Sequence, residues 1–400
     1  MLNTLIYAGI RTPFGRLAGS LAHTRPDDLL AATFQALMND SKVDPQIFDD
    51  VIIGCANQAG EDSRTVSRQA SLLAGLPIEL GATVINRNCG SGLGAVIAAA
   101  HAITAGEGNV IMTGGVESMS RGPFVMAKAE SAFSRDIKVF DSAVGARFPN
   151  PKIEKLFGND SMPQTADNLA VEYGLSREQV DQFVVDSQSK YANALAGGYF
   201  DGEIYSVPVP GKKKGEVMAF SKDEQPRSDA SMKSLSAMRP LNKDGVTTAA
   251  SSSSINDGAV ALIVGSAESE GRIGLKPIAK ILASAVVGVP PRIMGIGPVP
   301  AALKALNRAG LTLKDMDVIE INEAFAAQAL SCIKGLGMNL HDERVNPNGG
   351  AIAIGHPLGA SGPRILLTAA RQLQRTGGRY ALVAMCIGMG QGIAVVIERA

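Results

Sequence analysis

The sequence predicts an α/β protein made of two similar halves, and three observations support this prediction. Short apolar runs alternate with amphipathic segments of helical period along the 400 residues. Two Gly-rich turns, one at Cys89 and one at His356, each precede a predicted helix. A polar, irregular stretch interrupts only the first half. We therefore expect a duplicated α/β core that carries one insertion.

The predicted strands are short apolar runs that end at glycine or polar residues. They are Leu5–Ala8, Asp50–Gly54, Asn109–Thr113, Ala259–Gly265, Ala279–Val287, Val318–Ile321, Tyr380–Met385 and Gly392–Ile397. Val84 and Ile85 are expected to end a further, buried strand. The predicted helices have apolar residues at three- and four-residue spacing. They are Pro26–Met38, Thr65–Ala74, Gly92–Ala105, Thr165–Tyr173, Arg177–Ala196, Pro300–Ala309, Glu323–Leu336 and Gly362–Arg375.

Two segments of the chain repeat at a fixed separation. The stretch DVIIGC, which ends at Cys55, resembles DVIEIN, which ends at Asn322, 267 positions later. Cys89 and His356 are separated by the same 267 positions. A constant separation at two landmarks indicates duplication. Cys89 and His356 are therefore expected at equivalent places in two copies of one unit.

The repeat and the polar stretch together predict three units. Residues 1–118, completed by 247–270, form the first half, and residues 271–400 form the second. Residues 119–246 form an inserted domain, because this more polar stretch has no counterpart in the second half. Within it, Lys212–Lys214 is expected to be a solvated turn, with a phosphate contact as the alternative.

Composition limits the classes of function. Hydrophobic residues make up 46% of the chain, and 38 basic residues balance 38 acidic ones. This balance does not favour nucleic acid or a membrane surface as the main partner. The four cysteines have no CxxC spacing, so no zinc site or thioredoxin-like motif is indicated and no metal is expected. Because we find no basic leader and no apolar run of membrane length, we expect the protein in the cytoplasm.

Cys89 lies in the segment NRNCGSG, on a turn that leads from a strand into a helix. Backbone N–H groups and the dipole at a helix N-terminus favour an anion there. A thiolate is such an anion, and so is an oxyanion formed beside it. The alternative is a small buried cysteine. The flanking glycines favour a nucleophile, because they let a substrate approach the backbone closely.

Three further turns carry polar groups. His356 lies in GHPLGASG, and imidazole is the usual side chain for moving a proton near neutral pH. Cys386 follows a strand, where a thiol with a near-ordinary pKa can act as an acid toward a carbanion; a buried strand-end cysteine is the alternative. Asn322 follows another strand, where it can hold a water, donate to an oxyanion, cap the next helix, or combine these roles.

Together these turns and several other stretches resemble the thiolase family over essentially the whole chain. Each motif is weak alone, but the set in this order is specific. The stretches are RTPFG from Arg11, NRNCGSG around Cys89, GGVESMS from Gly114, INDGA from Ile255, NEAFA from Asn322, GHPLGASG around His356 and CIGMG from Cys386. The resemblance implies two α/β halves that form a five-layered αβαβα core with an inserted loop domain. It also implies an acyltransferase that cleaves a 3-oxoacyl-CoA with coenzyme A, reversibly as a Claisen condensation.

The resemblance further implies a role for each residue of the turns. Cys89 would carry the acyl group as a thioester, and His356 would deprotonate Cys89 and later the coenzyme A thiol. Cys386 would give or take the proton at the α-carbon of acetyl-CoA. One oxyanion hole would use His356 and a water held by Asn322, and the other the backbone N–H groups of Cys89 and Gly388. Separate donors suit a cleavage that divides into two acyl transfers.

Coenzyme A contacts are also implied by the resemblance. Ser253 would contact the pantetheine, and Arg227 would lie near the adenine or phosphate end. Met162 and Phe325 would line the thioester pocket, with Ala324 also among the binding residues. Coenzyme A would be a co-substrate, with no permanently bound cofactor. The inserted domain would cover coenzyme A and supply oligomer contacts, and the family favours a homo-oligomer, either a dimer or a tetramer.

The chain departs from the family pattern at two places. Residues 250–254 read ASSSS where the family commonly has GNASG, so Ser253 is kept while both glycines are lost. Asn88 precedes the nucleophile where an apolar residue is common.

Two stretches resemble the members that cleave 3-oxoadipyl-CoA to succinyl-CoA and acetyl-CoA in aromatic-acid breakdown. Residues 161–163 are Ser-Met-Pro, where acetoacetyl-specific members tend to carry His-Met-Gly, and residues 145–151 read GARFPNP. A dicarboxylic acyl chain needs a cation for its far carboxylate, ideally an arginine. Arg121, Arg135 and Arg147 are the candidates.

Three rival functions stay open at this point. The first is a general acetyl-CoA acetyltransferase or 3-ketoacyl-CoA thiolase that acts on acetoacetyl-CoA or fatty substrates. The second is a decarboxylating ketosynthase, which would favour a second histidine in place of Asn322 and would not be expected to have Cys386. The third is a non-catalytic acyl-CoA-binding protein, which would need no thiol.

Overall fold

The computed structural model describes residues 2–211, 213 and 215–400. Lys212 and Lys214 lie outside the described residues, so the solvated turn expected there stays a prediction. The strands are β1 Thr4–Arg11, β2 Gly15–Arg16, β3 Asp50–Gly54, β4 Gly81–Ile85, β5 Val110–Ser118, β6 Phe124–Met126, β7 Val139–Asp141, β8 Val207–Pro210, β9 Val217–Phe220, β10 Asn256–Gly265, β11 Ala279–Gly288, β12 Val318–Ile321, β13 Tyr380–Ile387 and β14 Gln391–Arg399.

The helices alternate with the strands in both halves of the chain. They are α1 Pro26–Ser41, α2 Val66–Leu73, α3 Ser91–Ala105, α4 Pro151–Phe157, α5 Met162–Glu172, α6 Arg177–Ala196, α7 Met232–Ser236, α8 Glu270–Ile273, α9 Pro298–Ala309, α10 Ala326–Gly335, α11 Ala351–Ile354 and α12 Leu358–Thr376. In the described ranges, no helix has both the length and the apolar character needed to cross a membrane.

Ten of the described strands form one long sheet whose two ends repeat each other. Its order is β12-β13-β14-β11-β1-β10-β5-β3-β4, and the antiparallel β1–β11 pair joins the two halves. In the first half β3 and β5 are parallel, and β5 pairs antiparallel with β10. In the second half β12 and β13 are parallel, and β13 pairs antiparallel with β14. The predicted duplication is therefore confirmed.

Helices α3 and α12 lie between the two halves of this sheet. They pack against each other, α3 packs on β3 and β5, and α12 packs on both β5 and β13. Helices α1 and α2 cover the outer face of the first half, and α9 and α10 cover that of the second. This arrangement gives the five layers α-β-α-β-α that the resemblance implies.

The two central helices approach closely because glycines line their contact. A methyl group added to Gly92 would lie 2.0 Å from the carbonyl oxygen of Gly359, and one added to Gly362 would lie 2.6 Å from Leu93 N. No larger side chain fits at either position without displacing backbone. The glycines of both motifs therefore bring the helix that follows Cys89 against the helix that follows His356.

Strands β5 and β10 are neighbours in the sheet, although the 137 residues from 119 to 255 lie between them in the chain. The intervening chain leaves the sheet and contains α4 to α7 with the hairpins β6–β7 and β8–β9. The equivalent strands β13 and β14 are joined directly by residues 388–390. The boundaries expected for the three units stay a prediction.

Two strand predictions need correction. β4, which ends at Val84 and Ile85, is not buried, because it is an edge strand whose residues are exposed or half-buried. β5 continues to Ser118, well past the predicted end at Thr113, and is buried throughout. Gly115 lies inside β5 because a methyl group there would meet the Gly359 carbonyl oxygen at 1.9 Å. That glycine serves close packing and not a turn.

Candidate active site

Cys89 lies on a tight turn between β4 and α3. Gly90 N donates to the carbonyl oxygen of Arg87 at 3.0 Å, and Ser91 N donates to that of Asn88 at 3.0 Å. Asn88 has a left-handed φ of +46°. Asparagine tolerates this conformation better than apolar residues do, because its short side chain bonds locally. The polar residue ahead of the nucleophile therefore has a conformational reason.

The environment of the Cys89 thiol opposes ionisation at rest. Burial raises the pKa of Cys89, hydrogen bonds from the backbone N–H groups of Gly388 and Cys89 lower it in part, and Glu117 raises it again. The net pKa lies above the ordinary value, so the resting group is a thiol. The two N–H groups that reach the sulfur are those expected in the second oxyanion hole.

One hydrogen bond fixes the tautomer of His356. Its Nδ1 lies 2.6 Å from Ser361 Oγ, and Ser361 Oγ donates to the carbonyl oxygen of Pro357 at 2.9 Å. Because the single hydroxyl hydrogen is used in that bond, Ser361 Oγ accepts from His356 Nδ1–H. Nε2 therefore carries the lone pair and is the nitrogen free to take a proton.

His356 is neutral at physiological pH. Burial lowers its pKa to about 4, and the nearby positive charge of Arg364 adds to the effect. Its backbone N–H donates to Asn256 Oδ1 at 2.9 Å, which ties the His356 turn to β10. A neutral imidazole held from both sides is suited to act as a base.

Asn322 lies beside His356 at the end of β12. Its Nδ2 is 3.5 Å from His356 Nε2, and its backbone N–H donates to Ala384 at 3.0 Å on the neighbouring strand. Its Oδ1 is buried and has no partner among the described residues. The alternative role as a helix cap is wrong, because α10 begins only at Ala326 and Phe325 occupies the cap position.

Cys386 lies at the end of β13, next to Cys89. Burial raises its pKa well above the ordinary value, and the neighbouring thiols Cys89 and Cys332 raise it further. The near-ordinary pKa expected from the sequence is therefore wrong, because the strand end is covered. Cys386 shares one apolar cluster with Ala324 and Phe325, and its thiol keeps its proton at neutral pH.

The loop that contains Ser253 pairs with the segment that follows Asn322. Ser253 N donates to the carbonyl oxygen of Ala324 at 2.9 Å, and Ser252 forms a bridge with Phe325. None of residues 250–254 has a positive φ. The glycines that the family commonly has in this loop are therefore not required by its backbone conformation here.

Arg227 and this loop line one groove. The groove is also lined by Gln188, whose Oε1 accepts from Arg227 N at 2.9 Å, and by Ala250 and Ser252. Met162 lies elsewhere, at the start of α5, and a methyl group added to Gly388 would lie 3.9 Å from its Sδ. The expected coenzyme residues are thus divided, because Arg227 lines the groove whereas Met162 lies next to Gly388.

Sequence reasoning assigned no role to three residues that hold the turns in place. They are Ser361, Asn256 and Glu117. Glu117 accepts backbone N–H groups from Gly359, Ala56 and Asn57 at 2.8–3.0 Å, and burial raises its pKa to about 7. Each of the three lies in a quoted motif, but no local pattern shows which distant backbone group it binds.

Comparisons with known proteins agree with this geometry. Residues 4–268 match the family model described as thiolase, N-terminal domain, and residues 275–399 match thiolase, C-terminal domain. The chain belongs to the thiolase family. The predicted family, fold and assignment as an acyltransferase enzyme are therefore confirmed.

Relatives of this thiolase match over their full lengths. A beta-ketoadipyl-CoA thiolase of Acinetobacter baylyi is 53% identical, and each chain is covered to 100%. The 3-oxoadipyl-CoA/3-oxo-5,6-dehydrosuberyl-CoA thiolase of Escherichia coli is 52% identical with the same coverage. Among solved structures, the crystal structure of human mitochondrial 3-ketoacyl-CoA thiolase in complex with CoA matches with a TM-score of 0.91 and 38% sequence identity. The match covers 100% of this chain and 98% of the human chain.

Proposed function

We propose that this thiolase cleaves 3-oxoadipyl-CoA with coenzyme A to give succinyl-CoA and acetyl-CoA. The observation that carries the reaction type is a pair of neighbouring thiols, Cys89 and Cys386, together with the neutral imidazole of His356, whose following helix packs against the helix that follows Cys89. A carbon–carbon cleavage needs one thiol as nucleophile and another as acid. The two relatives named for this substrate, at 52–53% identity, support the acyl chain.

The first half-reaction loads the acyl group on Cys89. His356 Nε2 takes the thiol proton as the sulfur attacks the 3-oxo carbon, and the N–H groups of Cys89 and Gly388 hold the resulting oxyanion. When the oxyanion collapses, the bond between the α-carbon and the former 3-oxo carbon breaks. Acetyl-CoA leaves as an enolate whose oxygen is held by His356 Nε2–H and by a water on Asn322. Cys386 protonates its carbon.

The second half-reaction releases the acyl group. The proton on His356 passes to the Cys386 thiolate, which restores both groups, and His356 then deprotonates the incoming coenzyme A thiol. That sulfur attacks the Cys89 thioester, the same two N–H groups hold the second oxyanion, and succinyl-CoA leaves. Cys89 regains its proton from His356. The unpartnered Oδ1 of Asn322 supports a water at that position.

We propose Arg147 as the cation for the far carboxylate of the substrate. Arg121 forms an ion pair with Glu61 and so is neutralised. Arg147 Nη1 instead donates to the side-chain amide oxygen of Asn57 at 3.2 Å. The backbone N–H of Asn57 in turn donates to Glu117, whose charge acts on the Cys89 thiol. A guanidinium bound to a neutral amide keeps donors for a carboxylate.

Coenzyme A is proposed as a co-substrate, with no permanently bound cofactor. Its pantetheine would lie along Ser253, and its adenine or phosphate end would lie in the groove at Arg227, where a cation meets an anion. Met162, Ala324 and Phe325 would line the thioester pocket. The groove and the loop pairing with Ala324 support this path.

Three broader expectations are proposed with the function. Residues 119–246 would form an inserted domain, which the sheet neighbours β5 and β10 support. The protein would be a homo-oligomer, either a dimer or a tetramer. It would work in the cytoplasm.

Thiolysis assays with matched variants test the proposal. We expect 3-oxoadipyl-CoA to be cleaved at least ~10-fold more efficiently than acetoacetyl-CoA. Arg147→Gln should remove that preference with little effect on acetoacetyl-CoA, while Arg135→Gln, an exposed arginine of the same insertion, should leave it intact. Equal cleavage of both substrates by the unaltered protein would favour the general acetyltransferase. Cleavage of neither would favour an acyl-CoA-binding protein.

A further inference from the structure

Two consecutive side chains ahead of Cys89 cross-link its turn to the turn between β13 and β14. Asn88 Nδ2 donates to the carbonyl oxygen of Gly388 at 3.3 Å. Arg87 Nη1 donates to Gln391 Oε1 at 3.4 Å. These bonds join the first half of the protein to the second, 300 and 304 positions away along the chain.

The cross-linked turns are those that carry the two N–H groups directed at the Cys89 sulfur. One group belongs to Cys89 and the other to Gly388, so the gap between them depends on how the two halves are held together. Gly388 begins a short connection in which Met389 and Gly390 have left-handed φ values of +69° and +87°. Among the hydrogen bonds of the described residues, the one from Asn88 is the bond that anchors the Gly388 carbonyl.

We infer that Asn88 is a positioning residue that sets the gap between the N–H groups of Cys89 and Gly388, and thereby the rate of acyl transfer. The inference rests on the proposed function, which uses these groups as an oxyanion hole. Such donors act only when they lie about 2.7–3.1 Å from the developing charge. Gly390 N donates to the Ile387 carbonyl oxygen at 3.2 Å and Val289 N donates to that of Gly390 at 2.9 Å, so the connection keeps its own shape without Asn88. The bond from Asn88 is the one that ties the Gly388 carbonyl to the Cys89 turn, and so it sets the distance between the two N–H groups.

Asparagine meets both requirements of position 88. It accepts the φ of +46°, and its own N–H donates to Asn86 Oδ1 at 3.0 Å, which stabilises the turn. Its side-chain amide then supplies the donor to Gly388. An apolar residue at position 88 would lack the side-chain donor and would be strained at the positive φ.

The two requirements can be separated by substitution. Asn88→Gly accepts the positive φ without strain but removes the side-chain donor. Asn88→Asp keeps the shape and the tolerance of positive φ but replaces the donor with an acceptor that faces a carbonyl oxygen. A loss shared by both variants is therefore assigned to the missing hydrogen bond and not to backbone strain or to charge.

The test compares two steps in the full-length protein. Rapid-quench mass spectrometry gives the rate at which 3-oxoadipyl-CoA acylates Cys89, and NMR in heavy water gives the rate of α-proton exchange of acetyl-CoA. We expect both variants to acylate about 10- to 100-fold more slowly, with KM within about twofold, because a displaced oxyanion donor lowers the rate of that step. The rate of α-proton exchange should stay within about twofold of that of the unaltered protein, because exchange depends on Cys386 and on the oxyanion hole formed by His356 and the water on Asn322.

Two results would overturn the inference. One is acylation within twofold of the unaltered protein in both variants. The other is an equal fall in acylation and exchange, which would indicate a general structural role. If the unaltered protein itself acylates on no thiol, the proposed function fails, and that failure is distinct from either result.

Discussion

Ser361 Oγ accepts a hydrogen bond from His356 Nδ1 across 2.6 Å, and this contact determines which imidazole nitrogen can act as the base. Ser361 is itself fixed by its bond to the Pro357 carbonyl oxygen. A fully buried residue thus sets the proton chemistry of the site through His356.

Ser361→Ala is expected to lower kcat about 10-fold, because the Nδ1–H tautomer loses its partner and Nε2 is the lone-pair nitrogen for less of the time. Steady-state thiolysis measures the effect. Ser71→Ala is the matched control. Ser71 is also a buried serine in a helix, the outer helix α2, and its hydroxyl donates to the carbonyl oxygen of Ser67 at 2.7 Å. Equal activity of the two variants would count against the role of Ser361.

His356 also makes stability depend on pH. Its folded pKa is lowered by burial to about 4, whereas the unfolded pKa is the ordinary 6.5. Between these values the unfolded chain binds a proton that the folded protein does not, so stability is lost as pH falls below 6.5. His356 should account for about 2 kcal/mol of the loss between pH 7 and pH 5.

Urea unfolding of the unaltered protein and of His356→Asn at both pH values measures this contribution. The variant should lose correspondingly less stability on acidification, since asparagine does not titrate. The same loss in both proteins would mean that His356 is already charged, or already exposed, in the folded state.

Glu320 on β12 and Arg364 on α12 form a buried pair whose polar atoms lack close partners. Their nearest atoms are 3.8 Å apart, and both side chains are fully buried. Burial raises the pKa of Glu320 to about 8 and lowers that of Arg364. At neutral pH the carboxyl group of Glu320 is therefore mostly protonated, and Arg364→Met alone should cost about 2 kcal/mol of unfolding free energy, because it leaves that buried polar group without a polar neighbour.

The double substitution Glu320→Met with Arg364→Met should cost less than Arg364→Met alone, because no polar group is then left unpaired. Chemical denaturation of the unaltered protein, of Glu320→Met, of Arg364→Met and of the double variant gives the comparison. Costs that simply add would show that the two side chains do not interact.

Cys386→Ala should slow α-proton exchange of acetyl-CoA at least ~100-fold while it slows acylation of Cys89 far less. The reason is that the raised pKa keeps Cys386 protonated as an acid for the enolate carbon. NMR in heavy water follows the exchange, and mass spectrometry follows the acylation. Cys332→Ala, at another buried thiol, is the control. Equal losses in the two steps of Cys386→Ala would exclude an acid role.

The sequence predicted the site largely through its turns. Cys89, His356, Asn322 and Cys386 follow glycine-rich or strand-end segments, and a repeat of 267 positions linked two of them. Such local patterns reflect local backbone needs. Strand Asp50–Gly54 and helix Arg177–Ala196 were predicted with their observed bounds for the same reason.

What the sequence could not predict depends on contacts between distant segments. Asn88 is explained only once Gly388 lies beside it, and the raised pKa of Cys386 requires knowledge of what covers the strand end. The partial exposure of Val84 follows from its place on an edge strand of the sheet, which apolar composition does not reveal. The buried charge of Arg364 is visible only when α12 is packed on the sheet.

The measurement that tests the central claim most directly is mass spectrometry of the protein mixed with 3-oxoadipyl-CoA in the absence of free coenzyme A. We predict a succinyl group on Cys89, released as succinyl-CoA when coenzyme A is added, and absent from a folded Cys89→Ser protein. An acyl group on any other residue, or turnover with Cys89 never modified, would contradict it.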